Sequence, residues 1–559
     1  MSMIRYKREL YEGSLETIED ILDSLNRANV LAVDTETINL KNQNCVGIGV
    51  QWSDIDRLYI QVLPETSSLL PFILELLSQT DNTKIYFNVG FDYRVLAALA
   101  KAESFPAPDL TNIEDVSVAA QVQGNSDHSL DALSIQYLAY SNQYSIKGLL
   151  QEARSDQCKS PTTLDVPFEQ LATKCLNDVW ATWHLWKKLW HLWPNDQNRE
   201  CYEVDIKLLP ILFRMEKKGL LLDQAKVTEH YNTLHEEVEQ YASQCNDLGF
   251  NPGSPGQVGF YLASRGNILP FTKSGRQLRT DEEALGELDD PVAQLILRYR
   301  KANKLLSTYV TPWKDSERAY THFRIDLSTG RLASFDRNLQ NIPPAMRDVF
   351  SSDGGMFSWA DYSQIEMRIF AHLSQDPEMM TAYREGRDIH AMTQLALWPG
   401  SDPKDSERRL VAKTYNFAML YDANTYTLAR NTGLSESDCS EFRSRWFQYY
   451  KGGRNYIESR KRDQSPYAVS DFGRRMSLPD TSYSPQSHIN KCKINYVIQG
   501  TAADIIKRAM VRLGDIDLRL QIHDELVVDG AFEFPEFMAH IHPEIYTPIE
   551  QKQGSKWSK

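Results

Sequence analysis

Two segments far apart in the chain each join an apolar run to an aspartate, and together they constrain the fold most. In GGMFSWADYSQIEM the pattern predicts a strand ending at Asp361 and a helix carrying Glu366. RLQIHDELVVD predicts two short strands around a turn at His523, Asp524 and Glu525. If these strands are neighbours, Asp361 and Asp524 lie about 4.8 Å apart, which suits two metal ions about 3.5–4 Å apart. Taken alone, each acidic turn is more typical of a solvated turn.

A second acidic set lies near the N-terminus. Asp34 and Glu36 alternate on a predicted strand, LAVDTET, so both side chains point to one face. Asp92 begins a helical run, and Asp178 lies in a tryptophan-rich helix. Such a set could hold two divalent ions for phosphodiester hydrolysis, although a lone DxE pair is usually an ordinary strand end.

A stripe of cations and aromatic rings recurs every four residues in SERRLVAKTYNFAMLYDAN. Arg409, Lys413, Phe417 and Tyr421 would line one face of a helix. The cationic end suits phosphates, and the rings suit a base and sugar. The alternative is an amphipathic helix with both rings in the core.

Two polar segments offer donors to nucleic acid. STGRLASFDRNLQNIP carries Arg331, Asn338, Gln340 and Asn341, which suit phosphate and groove edges. A helix predicted over 291–308 has a basic face, and we expect it to form a groove that binds DNA in a salt-dependent manner. The residues of that face are Arg298, Arg300, Lys301 and Lys304.

The length and net charge of the chain limit the class of protein that can carry these motifs. The 559 residues suggest several domains. The pattern predicts alternating strands and helices to about residue 193 and a linker at 194–198. It then predicts helices at 199–218 and 224–248, and a mixed α+β region from about 320. A net charge of −14 excludes a uniformly basic coat, but not a local basic cleft. No apolar run is long enough for a membrane span, and the seven cysteines form no CxxC pair. We therefore expect a soluble cytoplasmic protein without a membrane partner.

Taken in order, these segments resemble family A DNA polymerases, the bacterial DNA polymerase I group. The resemblance spans about residues 25–559, and its motifs are TGRLAS–NLQNIP (329–343), DYSQIEMRI (361–369), DIH (388–390), RxxxKxxxNF (409–417), INYVIQGTAADIIK (494–507) and QIHDE (521–525).

The resemblance implies an α+β and α/β multidomain fold. A ribonuclease H-like 3′–5′ exonuclease domain over 1–193 would precede a right-hand polymerase domain over 194–559. The implied subdivisions are a thumb at about 223–320, a palm at about 199–222, 321–374 and 491–559, and fingers at about 375–490.

The resemblance also implies residue roles. The catalytic set would be Asp361, Asp524, Glu525 and Lys413 for synthesis, with Asp34, Glu36, Asp92 and Asp178 for hydrolysis. Metal ligands would be Asp361, Asp524, the Tyr362 carbonyl, Asp34, Glu36 and Asp178, holding two Mg²⁺ ions per site with Mn²⁺ as a substitute. Nucleotide contacts would come from Arg409, Lys413, Phe417, Tyr421, Glu366, His390 and Gln364, and DNA contacts from Arg331, Asn338, Gln340, Asn495, Gln499 and His523. Glu366 would exclude a ribose 2′ hydroxyl.

This sequence departs from the family pattern at several positions. Lys174 stands where the family usually has a tyrosine four residues before the last exonuclease aspartate, so we expect weakened proofreading. Ala418 and Asp422 replace common glycines, and Ala345 and Lys491 replace arginines; we expect altered fidelity or rate from these.

Partners and origin follow from the same resemblance. We expect primer–template DNA and deoxynucleotides as ligands, with a replicative helicase or single-strand binding protein as further partners. The layout lacks a 5′ nuclease domain and a thioredoxin-binding insertion, which is typical of a phage or mobile-element enzyme. A stand-alone RNase D-like exonuclease, a single-subunit RNA polymerase and a DNA-binding scaffold are the rival interpretations. Primer extension with deoxy- or ribonucleotides discriminates among them.

Overall fold

The N-terminal third is built around a seven-stranded sheet. The computed structural model describes residues 2–6, 8–155, 158–272 and 274–558. The strands here are β1 (Ser2–Tyr6), β2 (Glu9–Gly13), β3 (Val30–Thr37), β4 (Cys45–Gln51), β5 (Arg57–Gln61), β6 (Thr83–Tyr86) and β7 (Ile113–Asp115). The helices are α1 (Ile18–Asn26), α2 (Leu70–Ser78), α3 (Val89–Ala102), α4 (Val116–Val122), α5 (Leu130–Leu138), α6 (Ile146–Glu152) and α7 (Phe168–Leu189).

The sheet is mixed, with strand order β1-β2-β5-β4-β3-β6-β7. β3, β6 and β7 run parallel, and the other neighbours are antiparallel. Helix α7 packs across β3, β4 and β5 through the buried Leu171, Ala172, Cys175 and Val179. This packing brings one face of α7 directly over the acidic end of β3.

The middle of the chain is helical. It contains α8 (Asp196–Lys218), β8 (Leu220–Leu222), α9 (Gln224–Asp247), α10 (Pro255–Ser264), α11 (Glu282–Gly286), α12 (Pro291–Leu305), a π-helical turn at Leu306–Val310 and α13 (Thr311–Trp313). α12 packs along α9. The outer end of this pair has its own small hydrophobic core, which includes Phe250, Leu262 and Ile296.

The C-terminal part contains the remaining strands and helices. The strands are β9 (Arg318–Ala319), β10 (His322–Arg324), β11 (Ala333–Phe335), β12 (Phe350–Ser351), β13 (Phe357–Tyr362), β14 (Tyr467–Val469), β15 (Arg475–Ser477), β16 (Leu518–Ile522), β17 (Glu525–Asp529) and β18 (Ile549–Gly554). The helices are α14 (Ile365–Ser374), α15 (Pro377–Arg384), α16 (Ile389–Leu397), α17 (Ser406–Leu420), α18 (Thr425–Thr432), α19 (Glu436–Tyr449), α20 (Lys451–Arg462) and α21 (Gln486–Leu513). The central sheet is antiparallel, in the order β16-β17-β13-β18.

Most predicted elements are present, with shifted ends. α8 begins at Asp196, inside the predicted linker 194–198, because the Asn195 side chain accepts a hydrogen bond from Asn198 N and caps the helix. It ends at Gly219, whose φ of 60° suits glycine. The helix predicted over 291–308 leaves the α form after Leu305, where the π-helical turn begins.

A buried ion network joins α8 to α21 and to the β14–β15 connection. Arg474 donates to both Asp205 oxygens at 2.7 and 3.0 Å and to Asp504 at 2.8 Å. Lys507 donates to Asp205 at 2.9 Å, and these four side chains are at most 2% exposed. Burial acts against the charge of Asp205, but Arg474 and Lys507 outweigh it and lower the pKa of that carboxyl.

Two general predictions can be compared with the structure. All seven cysteines are free thiols. Within the described ranges, no helix combines the length and apolar character that crossing a membrane requires.

Candidate active sites

The two acidic segments of the C-terminal part meet in the central sheet. β13 pairs with β17 so that Asp361 lies opposite Glu525, and Tyr362 N donates to Asp524 O at 3.1 Å. His523 and Asp524 form the two-residue turn between β16 and β17. The prediction that these strands are neighbours is confirmed. Asp361 and Asp524 therefore lie at adjacent strand ends, and both are partly exposed.

The third acid of this hairpin points into protein. Glu525 is 3% exposed, and it accepts hydrogen bonds from Arg347 at 3.3 Å and from the Trp557 indole. Burial raises the pKa of Glu525, and Arg347 opposes that effect. Glu525, predicted to be catalytic, is thus held inside the protein, whereas Asp524 lines a cleft.

The donor set beside the cleft fits a divalent cation. Two carboxylates and nearby main-chain carbonyls are the hard oxygen ligands that Mg²⁺ prefers. The Tyr362 phenol is turned away, donating to Met538 O, so only its main chain lies at the strand end. Arg331, Lys507 and His523 also line this cleft.

Glu366 connects three elements at the cleft. Its carboxylate accepts hydrogen bonds from Arg331 and from the Tyr421 hydroxyl. Gln499 of α21 also bonds that hydroxyl, and burial together with Glu366 raises the pKa of Tyr421. Arg331, predicted to contact DNA, is thus paired to Glu366 in this conformation.

The stripe on α17 is exposed at Lys413, and its two rings pack partly against the core. The buried residues of this helix include Ala412, Tyr415, Asn416 and Met419, which lie on the other face. Lys413 is exposed, and the two rings of the stripe are only partly buried. Arg409 donates to Asp388 at 2.6 Å. The alternative of a core face therefore holds in part for Phe417 and Tyr421, which pack against the core on one side.

His390 and Gln364 are engaged inside the protein. His390 is 2% exposed, and its Nδ1 accepts from Asn416 at 3.0 Å. Burial lowers the pKa of His390 to about 4, so it is a neutral group at pH 7 rather than a phosphate-binding cation. Gln364 accepts a hydrogen bond from Tyr383 at 3.0 Å.

Several predicted DNA contacts are used for local structure. Asn338 accepts from Ser334 and from Asn341 N, so it caps its own turn. Gln340 is 9% exposed and donates to Gln521 at 2.8 Å.

The predicted basic face of α12 is smaller than expected. Arg300 donates to Thr280 O and lies partly buried. Arg298, Lys301 and Lys304 remain exposed.

On α21, Asn495 has a buried Oδ1 with no hydrogen-bond partner in the described chain.

The N-terminal acids converge at the end of β3. Asp34 and Glu36 come from β3, Asp92 from α3 and Asp178 from α7. Asp92 accepts from Thr35 N at 2.9 Å and from its hydroxyl at 2.7 Å. Asp34, Glu36 and the Cys175 thiol offer ligand atoms within 4.8 Å of one another. Asp92 reaches the same strand through Thr35, and Asp178 is joined to Glu36 through Lys174.

Lys174 enters this cluster from α7. Its Nζ lies 2.7 Å from Glu36 Oε1 and 2.8 Å from Asp178 Oδ2. Asn142 donates to the other Asp178 oxygen at 2.8 Å. The position that departs from the family pattern is therefore a bridge between the two acids.

Burial raises the pKa values of Asp34, Glu36 and Asp92. Burial is the main cause for Asp34 and Glu36, and the charge of Lys174 opposes it. The pKa of Asp92 rises to about 7 through burial, despite its bonds to Thr35. The cluster remains short of positive charge even with Lys174 in place, which fits uptake of a cation.

Sequence reasoning missed Asn142, Cys175 and Arg347. Cys175 lies three residues before Asp178, so the i,i+3 spacing on α7 would have placed it near that aspartate. Asn142 lies in an irregular segment, and Arg347 belongs to a short 3₁₀ turn, Pro344–Val349. The sequence around Asn142 and around Arg347 has no periodicity that would have indicated either residue.

Two family models match the chain. One, described as DNA polymerase family A, matches residues 222–548. The other, described as 3′-5′ exonuclease, matches residues 14–193. The two matches cover both candidate sites.

Curated relatives are similar over long stretches. DNA polymerase I of Pseudomonas aeruginosa is 30% identical over 599 residues, covering 96% of this chain and 64% of that protein. DNA polymerase I of Caldicellulosiruptor bescii is 29% identical over 497 residues, covering 80% and 55%. That of Bacillus caldotenax is 32% identical over 406 residues, covering 65% and 46%. The chain thus spans about half to two thirds of the length of these relatives.

A solved structure shares the fold. It is described as the POL domain of Pol1 from M. smegmatis in complex with DNA primer-template and dNTP. The TM-score is 0.75 at 23% sequence identity, covering 97% of this chain and 99% of that one.

Proposed function

The chain belongs to DNA polymerase family A, and on that premise we propose that it extends a DNA primer with deoxynucleotides and removes 3′-terminal nucleotides at a separate N-terminal site. The observation that carries the first activity is the pairing of β13 with β17, which sets Asp361 beside Asp524.

Asp361 and Asp524 would hold the divalent cations of synthesis, with the Tyr362 carbonyl as a further ligand. A bound Mg²⁺ pair would neutralise charge on the attacking and leaving oxygens of phosphoryl transfer. The hairpin's own contribution is rigidity. Glu525, Arg347 and Trp557 fix β17 from behind, so the two aspartates keep their separation.

Helix α17 would bind the incoming deoxynucleotide. Exposed Lys413 and partly buried Arg409 suit its phosphates, and Lys413 can donate a proton to the departing pyrophosphate. Phe417 and Tyr421 offer partly exposed rings for the base and sugar. His390 lies 6.0 Å from the Phe417 ring, which supports a positioning role for this neutral histidine.

Glu366 would select deoxynucleotides. Its carboxylate is held by Arg331 and Tyr421, so it cannot easily move aside for a 2′ hydroxyl. This restraint argues against a single-subunit RNA polymerase, which must admit that group.

The N-terminal cluster would hydrolyse the primer end. Asp34 and Glu36 would hold a cation, Asp178 would complete the site, and Asp92 would fix β3 through Thr35. Primer–template DNA and deoxynucleotides are the proposed ligands. A helicase or single-strand binding partner and a phage or mobile-element origin stay predictions, and the relatives compared are bacterial.

A labelled primer–template with Mg²⁺, with and without deoxynucleotides, tests both activities at once. Asp524→Ala should abolish extension and retain shortening, because the two acidic sites are separate. Glu536→Ala, an exposed acid in the same C-terminal part, is the matched control and should extend normally. Loss of neither activity, or of both, in Asp524→Ala contradicts the proposal.

A further inference from the structure

Lys174 supplies a positive charge inside the N-terminal acidic cluster. Its ammonium bridges Glu36 on β3 and Asp178 on α7 at 2.7 and 2.8 Å. The side chains of these three residues are 15%, 5% and 12% exposed. The ammonium thus joins carboxylates from two elements, as a bound metal ion would.

The lysine is held in this place by the fold. It lies one turn before Asp178 on α7, so the two side chains share a face. Cys175 and Val179 next to them are fully buried against the sheet, which fixes the rotation of the helix. Leaving the cluster would strand a nearly buried Glu36 without a partner.

Few oxygens of the cluster are left for metal ions. Lys174 takes one oxygen of Glu36 and one of Asp178, and Asn142 takes the other oxygen of Asp178. Asp92 uses one oxygen for Thr35. The Cys175 thiol donates to one oxygen of Asp34 at 3.3 Å. Asp34 and the second oxygen of Glu36 can hold one ion. A second ion about 3.5–4 Å away would need the oxygens already taken.

We propose that Lys174 replaces one of the two divalent cations of the exonuclease site, so that the cluster binds one ion. The inference rests on the proposed exonuclease function only in taking this cluster as its metal site. An ammonium neutralises one charge and donates hydrogen bonds, but it cannot act as a Lewis acid on water or on a leaving oxygen. Lys174 is therefore a positioning residue that keeps the acids assembled, and hydrolysis at this site is slow.

Counting bound Mn²⁺ on the full chain tests the inference. Lys174→Ala should bind about one Mn²⁺ per chain more than the wild type, because a two-metal cluster is restored. Lys187→Ala is the matched control. Lys187 lies on the same helix and pairs with Asp54 at 2.7 Å, but at the surface, so its count should equal that of the wild type. The proposed palm ligands are the same in all three proteins, so the Mn²⁺ ions they bind do not change the difference between the counts.

The melting temperature in EDTA is the second readout. The wild type and Lys187→Ala should lose the same amount of melting temperature when EDTA replaces Mn²⁺, because both release the same bound ions. Lys174→Ala, and Lys174→Gln as a second variant, should lose more, because each releases one ion more and has no ammonium left in the cluster.

Three results would overturn the inference. They are equal Mn²⁺ counts in Lys174→Ala and the wild type, a loss of melting temperature in EDTA that is as large in the wild type as in Lys174→Ala, or a spin-coupled Mn²⁺ pair in the wild type that Glu36→Gln removes. The last is read on chains that retain Lys174, so it stands even if the Lys174 variants do not fold. Shortening of a labelled strand tests the exonuclease function itself, so either idea can fail without the other.

Discussion

The buried ion network gives a stability prediction whose size follows from the contacts. Asp205→Asn keeps the shape of the side chain but removes the charge that Arg474 and Lys507 share. The network then has two cations facing Asp504 alone. Breaking a buried pair by removing one partner costs about 3–5 kcal/mol.

The cost converts into a melting temperature. The entropy of unfolding is about 2.1 cal/mol/K per residue, so a cooperative unit of roughly 350 residues has about 0.7 kcal/mol/K. We therefore expect Asp205→Asn to lower the melting temperature by about 4–7 °C. Differential scanning calorimetry measures it. Asp515→Asn removes an exposed partner of Arg214 and should shift the temperature by no more than about 1 °C.

A double variant separates charge balance from general damage. Lys507→Met combined with Asp205→Asn leaves Arg474 paired with Asp504, so the interior is neutral again. It should melt above Asp205→Asn alone, because well-packed apolar replacements of buried ion pairs are often tolerated. A double variant that melts as low as the sum of both single changes, or an Asp205→Asn shift within about 1 °C of the control, would refute the reasoning.

Three further predictions concern other parts of the chain. Glu366→Ala should lower the preference for deoxy- over ribonucleotides in kcat/KM by at least about tenfold; an unchanged ratio would mean the carboxylate does not face the sugar. Asp422 has a φ of 49° and pairs with two cations, so Asp422→Gly and Asp422→Ala should both melt below the wild type. Asp422→Ala should have the lower free energy of unfolding of the two, by about 1 kcal/mol, because alanine resists a positive φ. The reverse order would exclude backbone strain. Burial raises the pKa of Glu114 from 4.5 to about 7, so its stabilising contribution is complete below pH 4.5 and lost as the pH rises through 7. Glu114→Gln should therefore gain up to about 3 kcal/mol over the wild type near pH 8 but little near pH 5, and an equal gain at both would show that the carboxyl titrates normally.

The sequence predicted best where function depends on periodicity or on adjacent motifs. Asp361, Glu366 and the α17 stripe could be placed because strand and helix periods fix which side chains share a face. The pairing of β13 with β17 needed only the assumption that two apolar strands are neighbours.

Prediction was weakest where a side chain can serve either a ligand or its own loop. Gln340 and Asn338 carry the same amide groups whether they bind DNA or cap a turn, and only the fold decides between these uses. His390 was expected at a phosphate, but its burial could not be read from a motif. The Lys174 bridge depends on how α7 is rotated against β3, which is a property of packing.

The single 28-residue helix α21 constrains how this chain can change length. It carries Asn495 and Gln499 near one end of the cleft and Asp504 and Lys507 in the ion network. One inserted residue between these pairs would turn one pair by about 100° relative to the other. An insertion or deletion in α21 would therefore rotate the residues near the cleft out of phase with the ion network.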